Sequence, residues 1–206
     1  MSWGQLAAPA GGFVFAFLLG SFVEYGTHRL MHLRWILGTR HLNHHKKGDG
    51  QGVWGEFVDY FLFSLLFIWL GFLVSTPVGI VYAVGVGLYA FLAAWAHQLN
   101  HERPELVFWM PRPVHHLHHK YNMWRTNFGI LVDFWDRLLG TYEVVEWKPE
   151  RRAFDYPLRA FFDIGWFRRG GTVGLLSRPR VGLAVSPGVA SDLAPREEPP
   201  SFLPAP

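Results

Sequence analysis

The sequence contains no cysteine. Disulfides, thiolate metal sites, cysteine-ligated iron–sulfur clusters and cysteine nucleophiles are therefore excluded, and any metal must be held by nitrogen and oxygen. Charge is scarce as well: 17% of the 206 residues are Asp, Glu, Lys or Arg, against about 25% in an average soluble domain. The charges nearly balance, 19 Lys and Arg against 16 Asp and Glu, so their excess alone does not point to nucleic acid as a partner. There is no internal repeat of solenoid type. There is no glycine-rich nucleotide-binding motif either, because Gly85 and Gly87 lie inside an apolar run, where helix packing is the better reading.

Apolar sequence takes the place of charge: half of the residues are hydrophobic and 17% are aromatic. Ala7 to Val23 holds 17 residues without a charge, at the short end of what spans a bilayer. It lacks the basic leading region of a secretory signal and runs directly into Glu24, Tyr25 and His28, so a retained span is expected. Phe57 to Ala96 is 40 residues long with Asp59 as its only charge, twice the ~20 residues of one crossing. Ser75 to Gly79, STPVG, supplies a turn at its midpoint. The run therefore predicts a helical hairpin, Phe57–Val74 and Val78–Ala96, that crosses the bilayer or dips partway into it.

Three crossings put the end of the first span and both outer ends of the hairpin on one side. Arg29, Arg34, Arg40, Lys46, Lys47, Arg103, Arg112, Lys120 and Arg125 fall there, whereas Met1–Leu6 and the Ser75–Gly79 turn carry no Lys or Arg. The positive-inside rule makes that side cytoplasmic. Further on, Asp133–Glu143 predicts a short helix ended by Gly140, and Pro157–Phe167 an amphipathic segment near the interface. Seven prolines among the last 30 residues predict a disordered tail, 177–206, behind a membrane-embedded domain, 1–176.

All eleven histidines fall on the basic side and inside four clusters: HRLMH (His28, His32), HLNHH (His41, His44, His45), HQLNH (His97, His101) and HHLHH (His115, His116, His118, His119). A spacing of four residues places two imidazoles on one helical face, close enough to share a metal or face two adjacent ones. His115, His118 and His119 repeat the spacing of His41, His44 and His45, which leaves His116 pointing elsewhere. A lone histidine at a helix end is more often an interfacial or core residue satisfied by a carbonyl. Ten arranged as two matching sets of pair plus triplet have no packing rationale. Ten nitrogens over two metals give five each with one octahedral position open, whereas structural zinc stops at four ligands and catalytic zinc at three plus water. Imidazole suits several transition metals, and iron is the expected one, with zinc able to take its place in purified samples.

At these residues the sequence closely resembles the fatty acid hydroxylase and sterol desaturase superfamily of integral-membrane non-haem diiron oxygenases. The resemblance runs from about Gly20 to Trp147, with the boxes HxxxH, HxxHH, HxxxH and HxxHH matched in order and NFGILVDFWDRLLGTYE (Asn127–Glu143) following the last. It implies an all-α membrane bundle of about three spans, two of them a hairpin, capped by a cytoplasmic histidine-rich helical domain. Its two irons would be held by His28, His32, His41, His44, His45, His97, His101, His115, His118 and His119, and would use O2 to hydroxylate or desaturate a C–H bond of a fatty acyl, sterol-like or related lipid.

Metal charge left uncompensated by neutral imidazoles calls for carboxylates nearby. The candidates are Asp59, Glu102, Asp133 and Asp136, with Asn127 as a polar neighbour, each also open to a surface or capping role. Without a nucleotide site or an intrinsic redox centre, electrons must come from a separate donor of ferredoxin or cytochrome type, with the basic face around Lys46, Lys47, Arg112 and Lys120 as its docking place. A carotenoid hydroxylase or ketolase, with similar histidine boxes, and a metal-binding membrane protein without oxygenase activity are the alternatives.

Overall fold

In the computed structural model, residues 3–48, 50–148 and 158–167 are described. Among them there are six α-helices and no strand: α1 (Trp3–His32), α2 (Gly38–Lys47), α3 (Val53–Ser64), α4 (Thr76–Glu102), α5 (Val114–Lys120) and α6 (Phe134–Leu138). The tail expected at 177–206, and its boundary with the preceding domain, lie outside the described residues.

Two helices, Leu6–His32 of α1 and all of α4, are long and apolar enough to cross a membrane, at 27 residues each, or about 40 Å of helix. Only 11% of the most apolar stretch of α1 is buried. Val14, Phe15, Leu18 and Phe22 on α1, and Ile80 and Val84 on α4, are exposed, an apolar surface that water would penalise and lipid would not. Both expected outer spans lie inside these helices, with Ser75 capping α4 by accepting from the Val78 N–H at 3.4 Å.

The middle span, expected as one helix over Phe57–Val74, takes a different form. α3 ends at Ser64, turns follow, and a 3₁₀ turn occupies Leu70–Leu73. The Ser64 hydroxyl donates to the Phe61 carbonyl at 2.7 Å, the kind of side-chain bond that competes with helix propagation. The segment nonetheless follows α4 down its length, from Gly52, whose N–H donates to Gln98, to Gly71, which lies against Gly79 and Tyr82.

The returning segment lets α1 and α4 run parallel, so that their histidine-bearing C-terminal ends meet. Neighbours advance together along both helices: Gly12 with Val78, Ala16 with Gly85, Gly20 with Tyr89. Small residues permit this approach, because dispersion between backbones, rather than water exclusion, holds helices together in lipid. A Cβ on Gly20 would lie 2.6 Å from the Tyr89 ring, and one on Gly85 2.9 Å from the Ala16 methyl, whereas Gly87 faces open space. Of the pair Gly85 and Gly87, Gly85 alone serves this contact.

Gly20→Ala is therefore expected to cost about 1–3 kcal/mol through overpacking, lowering the unfolding temperature of the detergent-solubilised protein. Gly87→Ala should be neutral or slightly stabilising in the same measurement, since it adds only helix propensity.

Candidate metal centre

Each pair of histidines four residues apart sits in the last turns of a long helix, His28 and His32 on α1, His97 and His101 on α4. The two triplets sit on the short helices α2 and α5. Ten of the eleven histidines gather into two groups that can each hold a metal: His28, His32, His41, His45 and His118 in the first, His44, His97, His101, His115 and His119 in the second. Within each group the ligand atoms all lie within 4.8 Å of one another.

The triplets are shared between the groups. The first group takes His41 and His45 from α2 and borrows His118 from α5; the second takes His115 and His119 from α5 and borrows His44 from α2. Helix geometry accounts for the exchange. Residues four apart are about 40° apart around the axis, whereas adjacent residues are about 100° apart, so His44 and His45, like His118 and His119, diverge. The groups adjoin where the His45 and His119 rings stack at 4.0 Å. His116 belongs to neither, and its ring meets the Trp147 edge at 5.3 Å.

The first group has the geometry of a ligand set. Nε2 of His32 is 2.9 Å from that of His41, 3.2 Å from that of His45 and 2.9 Å from that of His118. The His45 Nε2 is 3.1 Å from His41 and 3.3 Å from His118. A neutral imidazole offers one donor and one acceptor, so protons cannot satisfy four nitrogens converging on one point. A cation between them can: metal–imidazole bonds of about 2.1 Å put adjacent octahedral nitrogens about 3.0 Å apart. In the second group, both ring nitrogens of His115 and His119, and the His101 Nε2, are buried without a protein hydrogen bond, atoms whose burial is costly unless something binds them.

Burial also keeps several of these imidazoles in the neutral form that binds metal. His115 and His118 are pushed well below the usual histidine range by burial first and by neighbouring imidazoles second. The same causes hold His45 at about 4 and drive His41 and His119 lower still.

One segment, 126–131, orients two members of the first group. His118 Nδ1 lies 2.8 Å from the Thr126 carbonyl and His28 Nδ1 lies 2.6 Å from that of Phe128. A carbonyl can only accept, so in both rings Nδ1 carries the hydrogen and Nε2 is left with its lone pair for metal. The segment is itself tied down along its length. The Asp136 carboxylate accepts from the N–H groups of Phe128 and Gly129 at 2.9 and 2.7 Å and from the Thr141 hydroxyl. Burial raises Asp136 despite these donors. Asn127, fully buried at φ 61°, a conformation Asn tolerates, brackets Glu143 through its N–H and carbonyl. Glu24 Oε1 accepts from the N–H groups of Ile130 and Leu131 at 2.9 and 3.2 Å, and its Oε2 from the Tyr89 hydroxyl at 2.8 Å.

Of the polar residues expected beside the ligands, Asp136 and Asn127 thus act through this segment. The others lie on different partners: Asp133 pairs with Arg137, Asp59 with Arg40 and Gln51, and Glu102 accepts from Gln98 and the Gly165 N–H. Two carboxylates not singled out from sequence support the centre instead, one through the 126–131 segment and one beside a histidine. One is Glu24, four residues before His28. The other is Glu56, buried on α3 with Oε1 3.3 Å from His97 Nδ1. The spacing of Glu24 from His28 was a usable signal; Glu56 lies 41 residues from its partner in sequence and gave none.

Two five-histidine groups that could each hold a metal, at the ends of helices long and apolar enough to cross a membrane, fit a histidine-rich membrane protein. Residues 13–141 match the family model described as Fatty acid hydroxylase. The chain is a member of that family, within the fatty acid hydroxylase and sterol desaturase superfamily. No curated protein and no solved structure matches it.

His118→Ala removes a nitrogen from the first group and His44→Ala one from the second, and each is expected to lower the metal content of the purified protein by elemental analysis. His116→Ala should leave it unchanged; an equal loss there would contradict the grouping. Glu56→Gln, which removes the charge beside His97, should weaken metal at the second group by roughly 10- to 100-fold in a competition titration.

Proposed function

We propose that the protein is a membrane-bound dimetal oxidoreductase, with iron as the metal and O2 as co-substrate, that hydroxylates or desaturates a C–H bond of a lipid. The family and the histidine groups fit a membrane oxidoreductase acting on lipids. The observation that carries the finer reading is the division of ten imidazoles into two adjacent sets of five, since five nitrogens leave one of six positions open where zinc sites close at four. When bound, such a pair supplies the oxidising power that acid–base side chains lack towards an unactivated C–H bond.

The chain's own contribution is to hold, orient and shield. Burial keeps His115, His118 and His119 neutral, and the carbonyls of Thr126 and Phe128 fix the ring orientation of His118 and His28. The packed ends of α1 and α4 keep water from the centre. In this reading the α3 segment through Leu73 is a third crossing, and the centre lies at the cytoplasmic end, within reach of a lipid chain from the bilayer. Exposed Lys46, Lys47 and Lys120, together with half-buried Arg112, would receive a ferredoxin- or cytochrome-type donor.

Expression in a host of defined lipids and carotenoids, followed by mass spectrometry, tests this. The expected product is a lipid that has gained one oxygen atom or lost two hydrogens, present with the wild type and absent with His118→Ala. No product from any lipid class, from protein holding two irons and supplied with a working reductant, would overturn the enzymatic reading in favour of metal binding alone.

A further inference from the structure

The two groups are supported differently. His28 and His118, both in the first group, rest on the 126–131 segment, whereas among the second group His97 has the Glu56 carboxylate beside it. Glu24 stands at the root of the first arrangement. It is 5% exposed and lies one turn before His28 on α1, so two successive rungs of the helix grip one stretch of backbone: His28 at Phe128, Glu24 at Ile130 and Leu131. Its second oxygen takes the Tyr89 hydroxyl from α4 at 2.8 Å. One carboxylate thereby fixes α1, α4 and the segment relative to one another.

A carboxylate is suited to this, because it accepts from all three donors with no hydrogen of its own to misplace. A buried charge with fewer partners would be costly, and here each donor offsets that cost. If the segment moved along α1, the Phe128 carbonyl would leave His28 Nδ1, freeing the ring to turn or to shift its hydrogen to the nitrogen meant for metal.

We infer that Glu24 is a positioning residue for the first metal, acting through the 126–131 backbone on His28 and His118, and that its loss affects the first group selectively. This rests on the proposed metal-binding reading and deepens it. Glu24→Gln preserves shape but removes the charge that strengthens the bonds from Ile130, Leu131 and Tyr89, and its amide meets all three only if the Tyr89 hydroxyl turns to accept.

Titration of the full chain in detergent with Co(II), followed by its ligand-field absorption, reads the effect without turnover. The wild type should take up two equivalents. Glu24→Gln should keep one at wild-type affinity and weaken the other by roughly 10- to 100-fold, with Glu24→Asp recovering part of the loss and Tyr89→Phe losing less. Coupling assigns the weakened equivalent: the effect of Glu24→Gln should be non-additive with His118→Ala and additive with His101→Ala. Two equivalents unchanged in Glu24→Gln, or both weakened alike, would overturn the inference while leaving the metal reading intact. A wild type that binds no Co(II) would overturn both.

Discussion

Ten imidazoles crowded into the meeting point of four helices are the constraint on which the rest of the structure depends. In the first group, neutral rings at 2.9 to 3.3 Å between nitrogens cannot all satisfy one another with protons, and charged rings would repel, so the arrangement suits a cation. Long, closely packed helices bring the histidine pairs together, and each remaining ring nitrogen needs an assigned partner so that the lone pairs point inward. The small-residue contact between α1 and α4, far from the histidines, serves the first requirement. The 126–131 segment serves the second.

That segment illustrates how a loop without regular structure can be rigid. From Asn127 to Leu131 each backbone N–H has a partner: Thr141 for Asn127, Asp136 for Phe128 and Gly129, and Glu24 for Ile130 and Leu131. The carbonyls of Phe128, Ile130 and Leu131 receive His28, Asn100 and Trp109. A backbone so fully engaged holds its neighbours as firmly as a helix would. The two metal groups then differ in kind, the first backed by carbonyl oxygens and the second by a carboxylate beside His97, so metals bound in them would not be electronically equivalent.

The histidine clusters and the family were legible because both are local in sequence: spacings of three and four residues decide which side chains can share a helical face. The departures came where spacing carries no information. Asp59, Glu102 and Asp133 were reasonable neighbours by sequence distance, yet each found a basic or amide partner nearer than any histidine. Glu56 and Asn100, buried beside or behind the centre, are placed by the packing of α3, α4 and α5. The middle apolar run has the composition of a span and follows α4 as one would, but Ser64 and the close approach at Gly71 divide it into a helix and a 3₁₀ turn.

The sequence by itself determined that this is an α-helical, cysteine-free chain with membrane-length apolar helices and histidines clustered at helical spacing, because composition and helical periodicity are properties of short stretches. Only the tertiary structure decided which five histidines act together. That division depends on how α2 and α5 meet α1 and α4, and adjacent residues such as His44 and His45, about 100° apart on their helix, are sent to different groups.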